Sequence, residues 1–281
     1  GFDYVSTISD PAREAADLGS AVEYFPDQPP AIIESRALLE DKAALARLKP
    51  PDPSKPGRMS DRIEGIRILK RKAGNHLLVE GWVEGPCALG ADLRGLNTLM
   101  TDFADDPEFV NSLFDFVAET AIGFARAQIE AGADLIGLGD AAASLIGPRL
   151  YREFVLPREH RIFTAIRAMG GRSRLHICGN TRRIIADMGR SGADMIDLDY
   201  FTSLEEARAA CAPGQPLAGN IDPVRCLRDG TPESVYAAVE ECFRQAGGRD
   251  YIVAAGCEVP RGVPHENVEA MARFARSHAA A

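Results

Sequence analysis

The sequence predicts an α/β fold built around a parallel sheet. The expected architecture is a TIM (β/α)8 barrel that lacks its first strand, with an open, doubly wound sheet of seven strands as the alternative. Three observations carry this expectation. Strand-like and helix-like signals alternate from one end of the chain to the other. Each strand-like apolar run gives way to Gly, Asp, Cys or Asn. The length of 281 residues suits a single barrel domain covering 1–281. With 46% hydrophobic and 26% charged residues the chain can bury a sizeable core, which excludes a disordered or coiled-coil protein.

The strand candidates, in order, are Asp3 to Ile8, Leu77 to Gly81, Ala133 to Leu138, Arg174 to Ile177, Ala193 to Leu198, Leu217 to Asn220 and Asp250 to Ala255. A closed barrel needs one strand more. Because the chain starts at Gly1 and enters a strand almost at once, the expectation is a fragment or processed chain whose first strand is missing. Helices fall between the strands. Asp106-Pro107 opens one with Phe109, Val110, Leu113, Phe116 and Val117 as its apolar stripe; Thr231-Pro232 opens another with Val235, Val239 and Phe243, closed by Gly247-Gly248. The stretch Pro50 to Gly57 holds four prolines, which have no amide proton to give, and is expected as a surface excursion.

Charge and cysteine usage narrow the partners. A formal net charge of −9 with no clustered basic face argues against nucleic acid or a lipid surface, and no apolar run approaches the ~18 residues of a membrane span. The first thirty residues carry Asp3, Asp10, Arg13, Glu14 and Asp17 and do not read as a secretory signal, so a cytoplasmic location is the default. Six irregularly spaced cysteines are expected as core residues or metal ligands and not as disulfides. Cys242 lies on an apolar helical stripe, and Cys211 and Cys226 are likewise expected in the core. Cys87, after Gly85-Pro86, is a weaker candidate to line a pocket.

In a barrel the reacting groups stand where strands end. One candidate strand ends in His176-Ile177-Cys178-Gly179-Asn180, where the alternation of an extended chain sends His176 and Cys178 to the same face. The last strand ends in Gly256-Cys257-Glu258. An imidazole with two thiolates is a suitable ligand set for zinc and leaves a fourth position open, although small buried cysteines and a satisfied histidine would give the same spacing. Asp199, at the end of an intervening strand, is a possible fourth, exchangeable oxygen ligand, and Asp197 shares its face and is expected to support the site from behind. His265, close after Cys257, reads as the first turn of the last helix and not as a ligand.

Together His176-x-Cys178-Gly179-Asn180, Gly219-Asn220-Ile221-Asp222-Pro223, Gly256-Cys257-Glu258-Val259-Pro260 and Pro264-x-Glu266-Asn267-Val268 resemble the uroporphyrinogen decarboxylase superfamily. Within it they resemble the zinc-dependent, corrinoid-linked methyltransferase branch. Gly1-Phe2-Asp3, Ser9-Asp10, Gly19, Gly85-Pro86 and Leu89 extend the resemblance over nearly the whole chain. It implies a TIM barrel whose first strand precedes Gly1, and zinc on His176, Cys178 and Cys257. The more distant cobalamin-independent methionine synthase family implies Asp199 as the acidic ligand, although the residue there is Glu. The activity implied is methyl transfer between a corrinoid and a small molecule. Either an acceptor thiol takes the methyl group from methylcobalamin, or a methyl ether or similar donor gives it to Co(I); a tetrahydrofolate-type acceptor also stays open. None of the five histidines sits in an Asp-x-His-x-x-Gly corrinoid-holding motif, so the corrinoid is expected on a partner protein docked at the barrel mouth. Asp199 and Asp140 are the candidate catalytic carboxylates. Trp82, Glu84, Asp140 and Asp222 are the candidate substrate residues, against the plainer readings that Trp82 packs, Glu84 faces solvent and the two aspartates cap turns. A homodimer stays open. The competing readings are a metal-free uroporphyrinogen decarboxylase using Asp10 on pyrrole nitrogens, and a non-catalytic module that binds a metal or a corrinoid protein.

Overall fold

The structure, a computed structural model, describes residues 2–278. The chain packs as two compact units, one of residues 3–173 and the other of Phe2 with residues 174–278. In both units parallel strands alternate with helical segments, the βα repeat of the TIM-barrel class of α/β folds. All seven expected strands are present. No helix among the described residues is long and apolar enough to cross a membrane.

In the first unit β1 is Tyr4–Ser6. A helix over Ala12–Leu18 follows it, then a two-stranded antiparallel ribbon of β2 (Val22–Glu23) and β3 (Ala31–Ile32), which the sequence did not announce because each arm is only two residues long. The proline-rich stretch before Gly57 is irregular and mostly exposed, as expected, and gives way to a helix over Arg58–Ala73. β4 (Leu78–Glu84) then lies parallel to β1 with Tyr4 opposite Leu78, and β5 (Leu135–Gly139) lies parallel to β4 with Trp82 opposite Gly137. That last pairing explains two glycines. A Cβ on Gly139 would stand 3.0 Å from the indole, so the flat strip of β5 is what lets the Trp82 ring lie down. The Gln128 side chain fixes the same spot, accepting from the Trp82 amide at 2.9 Å and donating to its carbonyl at 3.0 Å.

The helix predicted from Asp106-Pro107 spans Pro107–Glu130, with the Asp106 carboxylate accepting from the Phe109 amide. Its buried stripe is Phe109, Val110, Leu113, Phe114 and Val117. Phe114 takes the place expected for Phe116, because 110, 114 and 117 follow the spacing of one helical face while 116 is rotated off it and only half-buried.

In the second unit β6 (Arg172–Ile177), β7 (Met195–Leu198), β8 (Leu217–Ile221) and β9 (Tyr251–Ala255) pair in parallel, each with the next. Against β8 packs a core of Ile221, Leu227, Val235, Val239, Ala270 and Phe274, with Cys226, Cys242 and Phe243 at its margin. Cys211 is buried elsewhere, so these three cysteines are packing residues as the apolar pattern suggests. The helix that supplies Val235 and Val239 runs over Pro232–Gln245, starts on a Thr231 and Ser234 capping box, and is followed by Gly247 at a φ of 87°.

Candidate metal centre

Strand register builds the site. β6 and β7 run parallel with His176 directly opposite Asp197, and alternation places Arg174, His176 and Cys178 on one face of the chain. Gly179, at a φ of 87°, turns the chain immediately after Cys178, a backbone conformation that glycine takes without strain. Cys257 comes in from the end of β9, where the Gly256 amide still donates to Ile221 at 2.9 Å. Here glycine is a matter of space: a Cβ on Gly256 would sit 2.5 Å from the backbone nitrogen of Tyr200. Gly256→Ala is therefore expected to push Cys257 off its position and weaken metal affinity about 10-fold, measured by chelator competition.

Three donor atoms converge. His176, Cys178 and Cys257 each offer one ligand atom, all within 4.8 Å of one another. The His176 Nε2 lies 3.1 Å from the Cys178 Sγ, and the two sulfurs are 3.7 Å apart. Two thiolates each about 2.3 Å from a tetrahedral zinc stand about 3.8 Å from one another, and an imidazole nitrogen stands about 3.6 Å from such a sulfur. The sulfur spacing fits a tetrahedral ion directly, and the nitrogen needs only to back off slightly.

The electrostatics ready one donor to lose its proton and make the other two hold theirs. Cys178 and His176 both donate toward Cys257 and hold its thiol down to about 4. Its neighbour Cys178 is pushed up, first because it is the donor to Cys257 and then by burial. Burial alone would favour a neutral His176, but the Asp197 carboxylate, 3.1 Å from Nδ1, outweighs it and raises the imidazole to about 10. Asp197 in turn is held at about 2, because Arg174 and His176 overcome its own burial. Loading a divalent ion must expel the protons on Cys178 and His176, so affinity rises with pH.

Asp199 is not one of the three converging donors. Its Oδ2 accepts from the Gly179 amide at 2.6 Å, which braces the turn after Cys178, while its buried Oδ1 has no hydrogen-bond partner. Asp222, in the same unit, caps the turn that follows it, accepting from the amides of Val224 at 2.8 Å and Arg225 at 2.9 Å. His265 opens the helix over His265–His278, as its sequence context suggests.

The other nominated residues belong to the 3–173 unit. Trp82 is buried over the β5 glycines. Glu84, expected in solvent on its plainer reading, is buried and accepts from the Arg13 guanidinium at 2.9 Å, while its own amide donates to Glu14. Asp10 pairs with Arg58 through both oxygens and accepts from the Ala12 amide. Asp140 caps a helix other than its own: it is fully enclosed and accepts from Ala88, in the first turn of the helix over Pro86–Arg94, at 2.6 Å. Cys87 is completely buried and its thiol is pushed up by that burial, so it packs. Arg13 and Arg174 were missed by the sequence reading. Arg174 could have been found from its two-residue spacing to His176, but nothing local marks Arg13 as a buried arginine.

Burial raises Asp140 to about 7 and pushes Glu159, which accepts from the Tyr151 hydroxyl at 2.6 Å, well above its ordinary range. Both acids titrate normally when unfolded, so the folded state binds more protons between about pH 4 and about pH 7. Stability is expected to fall by a few kcal/mol as pH rises through that window, and Asp140→Asn is expected to flatten the fall, read from urea unfolding at pH 5 and pH 7.5.

A parallel βα fold that gathers an imidazole and two thiols at strand ends defines a candidate metalloprotein of the TIM-barrel class. The chain belongs to the uroporphyrinogen decarboxylase (URO-D) family, whose sequence profile matches residues 1–278. It is 31% identical to the methylcobamide:CoM methyltransferase MtbA of Methanosarcina mazei over 99% of this chain and 80% of that protein. It is 28% identical to a methylated-thiol–coenzyme M methyltransferase of the same species over 94% of this chain and 70% of that protein. To the uroporphyrinogen decarboxylase of Nocardia farcinica it is 32% identical over 77% of this chain and 60% of the other. Among solved structures, a methyltransferase from Methanosarcina mazei superposes with a TM-score of 0.90 at 24% identity over 99% of this chain and 81% of that one, which establishes the fold.

Proposed function

We propose that this chain is a zinc-dependent methyltransferase that moves a methyl group between a corrinoid, carried by a partner protein, and a small molecule, with a thiol as the favoured acceptor. The observation that carries the reading is the convergence of the His176, Cys178 and Cys257 donor atoms at a spacing that suits a tetrahedral ion. The relatives named as methylcobamide:CoM and methylated-thiol–coenzyme M methyltransferases supply the chemistry, a methyl group passing between cobalt and sulfur.

Zinc held by two thiolates and an imidazole supplies a mild Lewis acid with a position left for an exchangeable ligand. The chain's own residues prepare that position. Asp197 occupies the Nδ1 side of His176 and leaves Nε2 to face the ion. Cys178 and His176 hold the Cys257 thiol well below its ordinary value, which readies it to bind as a thiolate. Gly179 holds one oxygen of Asp199, and the other, without a partner, would serve as the fourth, exchangeable ligand. A uroporphyrinogen decarboxylase reading leaves this donor set without a task.

The test is elemental analysis of the unsupplemented protein together with loss of methylcobalamin absorbance on adding a thiol. About one zinc per chain, with turnover abolished by a chelator, is the expected result. Absence of zinc together with carbon dioxide release from a porphyrinogen substrate would overturn it. Asp199→Ala is expected to weaken zinc binding less than loss of either sulfur, since a carboxylate is the hardest ligand of the set.

A further inference from the structure

We infer that Arg174 is a positioning residue of the metal centre, fixing the Asp197 carboxylate against His176 so that the imidazole presents its Nε2 to the ion. The inference rests on the metal reading above and extends it to a residue that none of the ligand chemistry requires.

The argument is geometric. Arg174 sits two residues before His176 on the same strand face, and Asp197 is directly opposite His176 on β7. The Asp197 Oδ2 accepts from Arg174 Nη2 at 2.7 Å and from Nε at 3.0 Å, and it faces the His176 Nδ1 at 3.1 Å. One carboxylate oxygen therefore accepts from the arginine and at the same time faces the imidazole as its opposite charge, although Nδ1 makes no aligned hydrogen bond. Its side chain is 4% exposed and that of Arg174 is 17% exposed, so water competes weakly for these bonds.

Each part has a physical consequence. A buried carboxylate that lost its arginine partner would lose the group that fixes its rotation, and it could swing away from Nδ1. The guanidinium supplies the charge and, with two N–H groups on one oxygen, also fixes the rotation of the carboxylate. The carboxylate faces Nδ1, so Nε2, 3.1 Å from the Cys178 sulfur, is the nitrogen that would give up its proton and hold an ion. Lysine at this position would keep the charge and lose the fork.

The experiment measures zinc affinity of the full chain by chelator competition and records the absorption bands of the cobalt(II)-loaded protein, for wild type and four variants. Arg174→Met is expected to bind zinc about 10-fold more weakly and to shift the cobalt bands, as Asp197→Asn does. The Arg174→Met/Asp197→Asn double variant is expected to match Asp197→Asn alone, because the arginine acts through the aspartate. Arg174→Lys is expected to recover much of the affinity. Unchanged zinc affinity and cobalt bands in Arg174→Met, or losses that add in the double variant, would overturn the inference while leaving the metal reading intact. A wild-type chain that takes up neither ion would overturn both. Should Arg174→Met not fold, Arg174→Lys against Asp197→Asn decides the same question, with wild-type affinity and bands in both overturning it.

Discussion

Replacing Cys257 by alanine is expected to strip the metal from the protein while leaving its fold in place. Cys257 follows the end of β9 and is only partly buried, and its sulfur is engaged by Cys178 and His176 and not by the core. The second unit's core lies elsewhere, among Ile221, Leu227, Val235, Val239, Ala270 and Phe274, so the deletion removes a ligand and little packing. A zinc site worth about 10–16 kcal/mol over its full ligand set loses on the order of 3 kcal/mol or more with one thiolate, a factor of at least a few hundred in affinity. Metal content of the purified variant should drop to background, with unchanged circular dichroism. Cys226→Ala is the matching control, since Cys226 packs at the core margin and stands outside the donor set. Full metal content in Cys257→Ala would end the assignment.

The second large effect concerns stability in the other unit. Arg13→Met is expected to destabilise the protein by about 3–5 kcal/mol at pH 8, because Arg13 is 1% exposed and stands between Glu84 and Glu14, both buried. Methionine fills the volume but leaves two carboxyls without a counter-charge. Burial already outweighs the arginine and raises both acids above their ordinary values, so without it they climb further. The sign with pH follows. The unfolded glutamates are the same in both chains and cancel, so the deficit grows only as pH rises past the raised folded values, where the wild-type carboxyls ionise beside Arg13 and those of the variant do not, and it shrinks toward acid, where both folded states hold neutral carboxyls. Urea unfolding at pH 8 and pH 5 checks both statements, and Glu84→Gln added to Arg13→Met should restore part of the loss. A deficit independent of pH would mean that packing, and not charge, is what Arg13 supplies.

Much of this was legible in the sequence, and the reason is periodicity. Strands such as β4, β5 and β8 announce themselves because parallel strands buried on both faces read as apolar runs with sharp ends, and His176 and Cys178 share a face by the alternation of any extended chain. Cys257 could be joined to them only through a barrel topology or a family resemblance, since no local pattern connects residues so far apart. What stayed hidden was long-range pairing of charge. Glu84 looked like a strand-end residue free for ligand or solvent, yet its partner Arg13 comes from the segment after β1. Asp140 was nominated for catalysis and substrate, with a cap on the following helix as its plainer reading; its carboxylate accepts instead from the helix that follows β4, a choice made by tertiary packing alone. The ribbon of β2 and β3 escaped because two-residue arms carry no alternation to detect.

The pairing of Tyr4 with Leu78 bears on how quickly the chain reaches this state. In a parallel sheet no strand is adjacent to its partner along the chain, and β1 must wait while a helix, the small ribbon, the proline-rich excursion and a second helix fold out of the way. Loop closure is spent before the pairing returns any energy, so folding belongs to the slow end of the range for its size, with strand edges exposed in the interval. Refolding yield should therefore fall steeply with protein concentration, and dilution, more than any additive, should recover it.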